Sequence, residues 1–180
     1  SVLSEGKTLL DTISRLETLC PDERDLALAR DIVSGTCRWW GRLRHILLHA
    51  APRLGDFPPT VQRILEMSVY QILYLDRVPN YAILSEAVDL ARKHRFSGLA
   101  PAVNGVLRTV TRTRNEIPFP SPENQFSAWL AAVHSNPQWL VERWLDIWPK
   151  ENVQSLCEFN NTQAPLSLRT RIGHEAALQE

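Results

Sequence analysis

Leu99-Ala100-Pro101-Ala102-Val103-Asn104-Gly105-Val106-Leu107-Arg108-Thr109-Val110 decides the fold class. Leu99, Ala102, Val103, Val106, Leu107 and Val110 fill every position of the i, i+3, i+4, i+7, i+8, i+11 template, which stacks side chains along one face of a helix. Asn104, Arg108, Thr111, Arg112 and Asn115 fall on the opposite stripe. One face is thus patterned for a core, while the other presents hydrogen-bonding groups and two guanidiniums.

The helical period persists toward the N-terminus. Asn80, after Pro79, stands where it can cap a helix with Leu84, Ala87, Val88 and Ala91 on one face and Ser85, Glu86, Asp89, Arg92 and Lys93 elsewhere. Beyond Pro52, Pro58 and Pro59, the spacing of Val61, Ile64, Leu65, Val69, Ile72 and Leu73 predicts a strongly apolar, central helix. Pro21 opens a longer helix with Asp22, Glu23 and Asp25 in its first turn, as the macrodipole favours. Its apolar residues run on through Ile32, Val33, Trp40, Leu43 and Leu47, with Gly35 and Gly41 as points of bending. Leu9, Leu10, Ile13, Leu16 and Leu19 place a further helix over residues 5–19.

Charge is distributed unevenly. The chain balances at zero, yet residues 90–115 hold Arg92, Lys93, Arg95, Arg108, Arg112 and Arg114 with no Asp or Glu. Up to Asn115 there are 16 Lys+Arg against 12 Asp+Glu, and after it 4 against 8, so the two parts carry +4 and −4. A second polar stripe, Arg30, Ser34, Arg38, Arg42, His45 and His49, recurs every three or four residues on the long helix. Such spacing suits contacts to successive phosphates, with Arg able to bond them bidentately. A solvated helix face accounts for the same pattern, and the scarcity of lysine (Lys7, Lys93 and Lys150) allows a compositional origin for the arginines.

The chain's 180 residues, 44% of them hydrophobic, suffice for one real core with an appendage or for two small domains. No run approaches the roughly 20 apolar residues of a membrane span, which leads us to expect a soluble, cytoplasmic protein. Cys20, Cys37 and Cys157 are odd in number and widely spaced, and read as reduced thiols. His45 and His49 stand one helical turn apart but lack the intervening Glu of a zincin. No phosphate-binding loop, paired-carboxylate motif or serine elbow is present.

Composition changes at Ile117-Pro118-Phe119-Pro120-Ser121-Pro122, whose three prolines favour an extended linker and a domain boundary. Phe126, Trp129, Leu130, Trp139, Leu140, Trp144 and Trp148 follow on short helices broken by Pro137 and Pro149, a pattern of local core packing. Leu166-Ser167-Leu168-Arg169-Thr170-Arg171-Ile172 then alternates like a half-buried strand. A lone strand cannot satisfy its backbone, so we expect the chain to be cut inside its second domain.

Glu23-Arg24-Asp25-Leu26-Ala27, Gly35-Thr36-Cys37-Arg38, Tyr70-Gln71-Ile72-Leu73-Tyr74 and Asn104-Gly105-Val106-Leu107-Arg108 resemble the NusB-type all-helical RNA-binding fold. The later Pro137-Gln138-Trp139-Leu140-Val141-Glu142-Arg143-Trp144 and Asn160-Asn161-Thr162-Gln163-Ala164-Pro165-Leu166-Ser167-Leu168-Arg169 extend the likeness to the Fmu/Sun type of ribosomal RNA cytosine-5 methyltransferase. The sequence departs from that pattern at Asn136, commonly His, and at Arg171, commonly Asn. The resemblance implies an all-α, NusB-like bundle, a small mostly helical connecting region and a terminal β-strand. By residue this is a NusB-like RNA-binding domain at 1–116, a Pro-rich linker at 117–122, and at 123–180 the connecting region with the start of the methyltransferase's N-terminal subdomain.

The implied function is to bind ribosomal RNA and position it for a C-terminal methyltransferase domain that this chain lacks. S-adenosylmethionine is expected for the parent protein and no cofactor for this chain, which has neither a glycine-rich turn after a strand nor a Pro-Cys nucleophile. Catalysis by this chain alone is not expected. Arg38, Arg42, Arg108 and Arg112 are the expected phosphate contacts, with Arg30 and Arg92 secondary. The alternative is a protein-interaction module that docks a ribosomal, transcription or intramolecular partner.

Overall fold

The computed structural model describes residues 8–162. The strand expected at 166–172 and the helix start expected at 5–7 lie outside them. All regular structure among the described residues is helical.

Helix α1 (Leu9–Leu19) starts from Thr8, whose hydroxyl accepts the Asp11 amide while the Asp11 carboxylate accepts the Thr8 amide, both at 3.1 Å. This reciprocal cap satisfies donors that the first turn leaves open. Helix α2 (Glu23–Arg38) is capped by Asp22, not opened by Pro21: Oδ1 of Asp22 accepts the amides of Arg24 and Asp25 at 2.9 and 3.1 Å.

The single long helix expected from residue 21 to residue 47 is in fact two. Trp39 leaves helical geometry at ψ 11°, and α3 (Trp40–Ala50) sets off from it. The Trp39 and Leu43 amides still bond the carbonyls four residues earlier, both at 2.9 Å, so packing redirects the chain rather than any lapse in its pattern. Trp39 stacks on Tyr74 at 5.1 Å between ring centroids, and Tyr74 on Tyr70 at 5.2 Å. A Cβ on Gly35 would lie 2.0 Å from the Tyr70 ring, so only glycine permits this approach.

Helix α4 (Pro59–Tyr74) is central, as its sequence predicts. It touches α2, α3, α5 (Asn80–Lys93) and α6 (Ala100–Thr113), and buries Val61, Ile64, Leu65, Val69 and Ile72. Leu43, Leu47, Val103, Leu107 and Val110 complete one core with them. Asn80 does not cap α5; it is the first helical residue, and Pro79 holds the cap position without a side-chain bond. One carboxylate enters this core. Glu66 is 0% exposed and accepts from Arg44 and from the Trp40 indole, both at 3.1 Å, and from Arg63. Three donors offset the cost of removing that charge from water.

A second, smaller core joins α7 (Phe126–His134), α8 (Gln138–Leu145) and α9 (Lys150–Asn160) through Leu130, Val141, Val153 and Cys157. Trp129 and Trp144 pack against it as expected. Trp139 and Trp148 do not, remaining 65% and 45% exposed.

The two cores meet where α3 touches α7. Ser135, in the left-handed region at φ 61°, lays its hydroxyl against the first turn of α3 and accepts the Gly41 amide at 2.8 Å. Helix α3 has no side-chain cap of its own, so a residue 94 positions downstream of Gly41 supplies one. A Cβ on Gly41 would press within 3.2 Å of that hydroxyl. The proline-rich segment 117–122 is irregular, as its prolines dictate, but it is fastened down. Ile117 is buried, the Pro118 carbonyl accepts His45 Nε2 at 2.9 Å, and Phe119 stacks on His45 at 4.7 Å.

Candidate nucleic-acid interface

Helices α5 and α6 form a hairpin through a short connection, and each turns a polar stripe toward the seam between them. On α5 the spacing i, i+4, i+7, i+11 aligns Tyr81, Ser85, Val88 and Arg92; on α6 the spacing i, i+4, i+7 aligns Asn104, Arg108 and Thr111. The buried sides, Ile83, Ala87 and Ala91 against Val103, Leu107 and Val110, face the other way. Between the stripes lies an open cleft of about 740 Å³ lined by Tyr81, Leu84, Ser85, Val88, Asn104, Arg108, Thr111 and Arg112. None of the described residues lining it is acidic.

Two expected contacts, Arg108 and Arg112, therefore come together in one site. Arg108 is exposed and its Nε donates to Asn104 Oδ1 at 3.3 Å, which steadies the guanidinium without neutralising it. Arg112 is also exposed and, among the described residues, has no carboxylate within ion-pair distance. Arg92 continues the α5 stripe past the end of the cleft, where Asp89 pairs with it at 3.1 Å. Arg114, in the same acid-free run, donates to the Ile72 carbonyl at 2.9 Å and so caps the end of α4.

The second stripe has a different fate. Arg42 is half-buried, with its guanidinium 5.6 Å from both the Trp39 and Phe119 rings and Nη1 donating to the Val133 carbonyl at 3.4 Å. His45 is held by Pro118 and Phe119. Arg30 forms an ion pair with Glu17 of α1. Arg38 alone among these arginines is exposed at a cleft, a 450 Å³ recess lined also by Asp31, Ser34, Gly35, Trp39 and Tyr70. The Tyr70 hydroxyl donates to Asp31 Oδ1 at 2.8 Å there, and burial followed by that carboxylate raises the phenol's pKa, which keeps it a neutral donor. The two clefts share no lining residue, so the six expected contacts do not converge on one surface.

Sequence reasoning missed Tyr81. It is 78% exposed at the mouth of the acid-free cleft. The signal was its register: it lies off the Ile83, Ala87, Ala91 stripe and in line with Ser85 and Arg92. The remaining chemistry is inert by comparison. Burial raises the pKa of the Cys37 and Cys157 thiols, leaving them poor nucleophiles. No group of His, Cys, Asp and Glu suited to a metal ion occurs among the described residues, and none of their helices is long and apolar enough to cross a membrane.

Residues 3–112 match the NusB family, and residues 136–177 match the "Methyltr_RsmF/B-like, ferredoxin-like domain". The described part of the second match contains α8 and α9. Among similar proteins is a probable ribosomal RNA small subunit methyltransferase B from Synechocystis, 33% identical over 83% of this chain and 32% of its own length. A protein of the same description from Bacillus subtilis is 30% identical over 89% of this chain and 35% of its own. The ribosomal RNA small subunit methyltransferase B of Cronobacter sakazakii is 30% identical over 97% and 39%. The chain spans about a third of the length of these relatives. With an all-helical bundle over the matched residues and the RsmF/B-like segment following it, the chain belongs to the NusB family.

Proposed function

We propose that this chain is the RNA-binding, substrate-positioning N-terminal region of an S-adenosylmethionine-dependent ribosomal RNA cytosine-5 methyltransferase. The observation that carries this reading is the acid-free α5/α6 cleft, where the exposed guanidiniums of Arg108 and Arg112 face solvent with no carboxylate among the lining residues. Two fixed cations about one helical turn apart on a rigid helix suit neighbouring phosphates of a folded RNA. The relatives named for ribosomal RNA methylation supply the substrate class. Arg38 and Arg92 serve as outer contacts; Arg42 is held half-buried against Trp39 and Phe119, and Arg30 is paired with Glu17 at the surface.

On this reading residues 1–116 bind RNA, 117–122 connect, and 123–180 form the connecting region and the start of the methyltransferase's N-terminal subdomain. Methyl transfer to cytosine C5 needs a thiolate nucleophile, a base and a bound methyl donor. The described residues are helical and offer no glycine-rich strand-to-helix turn for the donor, while Cys37 and Cys157 are held as thiols. On this reading S-adenosylmethionine and the nucleophile belong to the remaining length of the parent protein, and this chain alone does not catalyse.

One observation favours a second reading, docking of a protein partner. Trp139, Ile147, Trp148 and Phe159 leave large apolar surfaces exposed on the α7–α9 unit. Packing of that unit against the parent's catalytic domain accounts for them and is compatible with RNA binding by the bundle. Titrating the chain with a small-subunit ribosomal RNA fragment and with an unrelated duplex, followed by anisotropy at several salt concentrations, tests the leading reading. Salt-sensitive binding that prefers the ribosomal fragment is expected. No binding at low salt, together with salt-resistant capture of a protein partner, would replace it with the docking reading.

A further inference from the structure

Tyr81 is the unexplained member of the α5/α6 cleft. A tyrosine side chain normally buries most of its ring, yet this one is 78% exposed. It has no ring partner among the described aromatic contacts. The rest of the cleft supplies what its ring lacks. Leu84 and Val88 form an apolar wall, Ser85, Asn104 and Thr111 offer hydrogen-bonding groups, and Arg108 and Arg112 bring positive charge across from α6. A flat apolar face, small polar groups and two cations within one open recess correspond to the parts of a nucleotide: base, sugar and flanking phosphates.

A duplex could satisfy the arginines but not the ring, since its bases are already stacked on one another and only its backbone is presented. An acidic peptide would pair with the arginines and leave Tyr81 in water. We infer that the α5/α6 cleft is a seat for one unpaired RNA nucleotide, whose base stacks on Tyr81 while Arg108 and Arg112 hold the phosphates on either side. This inference rests on the RNA-binding reading and adds to it a preference for loops, bulges or ends over helical RNA. The cleft's volume of about 740 Å³ falls within the range of small-ligand sites.

The test uses the full chain and a short RNA hairpin that carries a fluorescent adenine analogue in its unpaired loop, with a fully paired version of the same strand as the control. Base–aromatic stacking on the order of 1–3 kcal/mol corresponds to a roughly 5- to 150-fold loss on Tyr81→Ala. That loss is expected for the hairpin and not for the duplex, with an unchanged salt slope, because stacking releases no counterions. Tyr81→Phe should retain both the affinity and the quenching of the analogue. Since Tyr81 lies outside the core, the far-ultraviolet spectrum of both variants should match the parent. If Tyr81→Ala binds the hairpin as the parent does while loss of Arg108 and Arg112 still weakens it, the nucleotide seat is refuted and the RNA-binding reading stands. If the parent chain binds neither probe, both fall.

Discussion

The two arginine stripes have nearly the same spacing in sequence and opposite uses in the fold. On α6, Arg108 and Arg112 are exposed at a cleft whose described lining holds no acidic residue. On α2 and α3, Arg30 and Arg42 are engaged within the protein's own structure: Glu17 pairs with the first at the surface, and Trp39, Phe119 and the Val133 carbonyl hold the second. Arg44 and Arg63 go further still, enclosing the buried Glu66. Periodicity places a guanidinium on a face; what arrives from elsewhere in the chain decides whether it binds a ligand or fastens the protein.

Variants can break or sharpen this contrast. Glu66→Ala should cost the most, about 3–5 kcal/mol in denaturant unfolding, because it leaves two guanidiniums and an indole N–H without their shared acceptor. Arg42→Gln should cost about 2 kcal/mol through the lost cation–π contacts and the weakened bond to Val133. It should leave RNA affinity nearly unchanged. The double variant Arg108→Gln, Arg112→Gln should do the reverse, shifting stability by no more than about 0.5 kcal/mol while weakening RNA binding.

The smallest expected effect concerns pH. His134, whose ring meets Trp129 edge-on, has its pKa lowered by burial, with Glu158 opposing and Arg42 reinforcing the shift. The unfolded chain thus takes up this proton more readily than the folded one. The stability involved is present in full above the ordinary histidine value of about 6.5 and is lost as pH falls below it. Thermal unfolding followed from pH 7 downward should show a decline that His134→Gln makes shallower.

What could be read from the sequence was locally encoded. The buried face of α6 and the central place of α4 follow from apolar spacing within each helix, and the Arg108–Arg112 pair from the stripe opposite. The break at Trp39 could not be read this way, because the helical pattern runs straight through it. It is set by the stacking of Trp39 on Tyr74 and by a cap from Ser135, both distant in sequence. The contacts of Arg42 could not be read for the same reason: its partners Phe119 and Val133 lie far downstream. Tyr81 shows the opposite failure. Its register against Ile83, Ala87 and Ala91 points outward, yet no charge or motif marks it.

The most direct measurement compares the salt dependence of RNA binding for the parent chain, for Arg42→Gln and for the Arg108→Gln, Arg112→Gln pair. If the α6 stripe contacts phosphates and the α3 arginine does not, the pair should flatten the slope of log K against log salt by about 1.5, and Arg42→Gln should leave it where it was. A slope unchanged by the α6 pair, or flattened by Arg42→Gln alone, would contradict this division of roles.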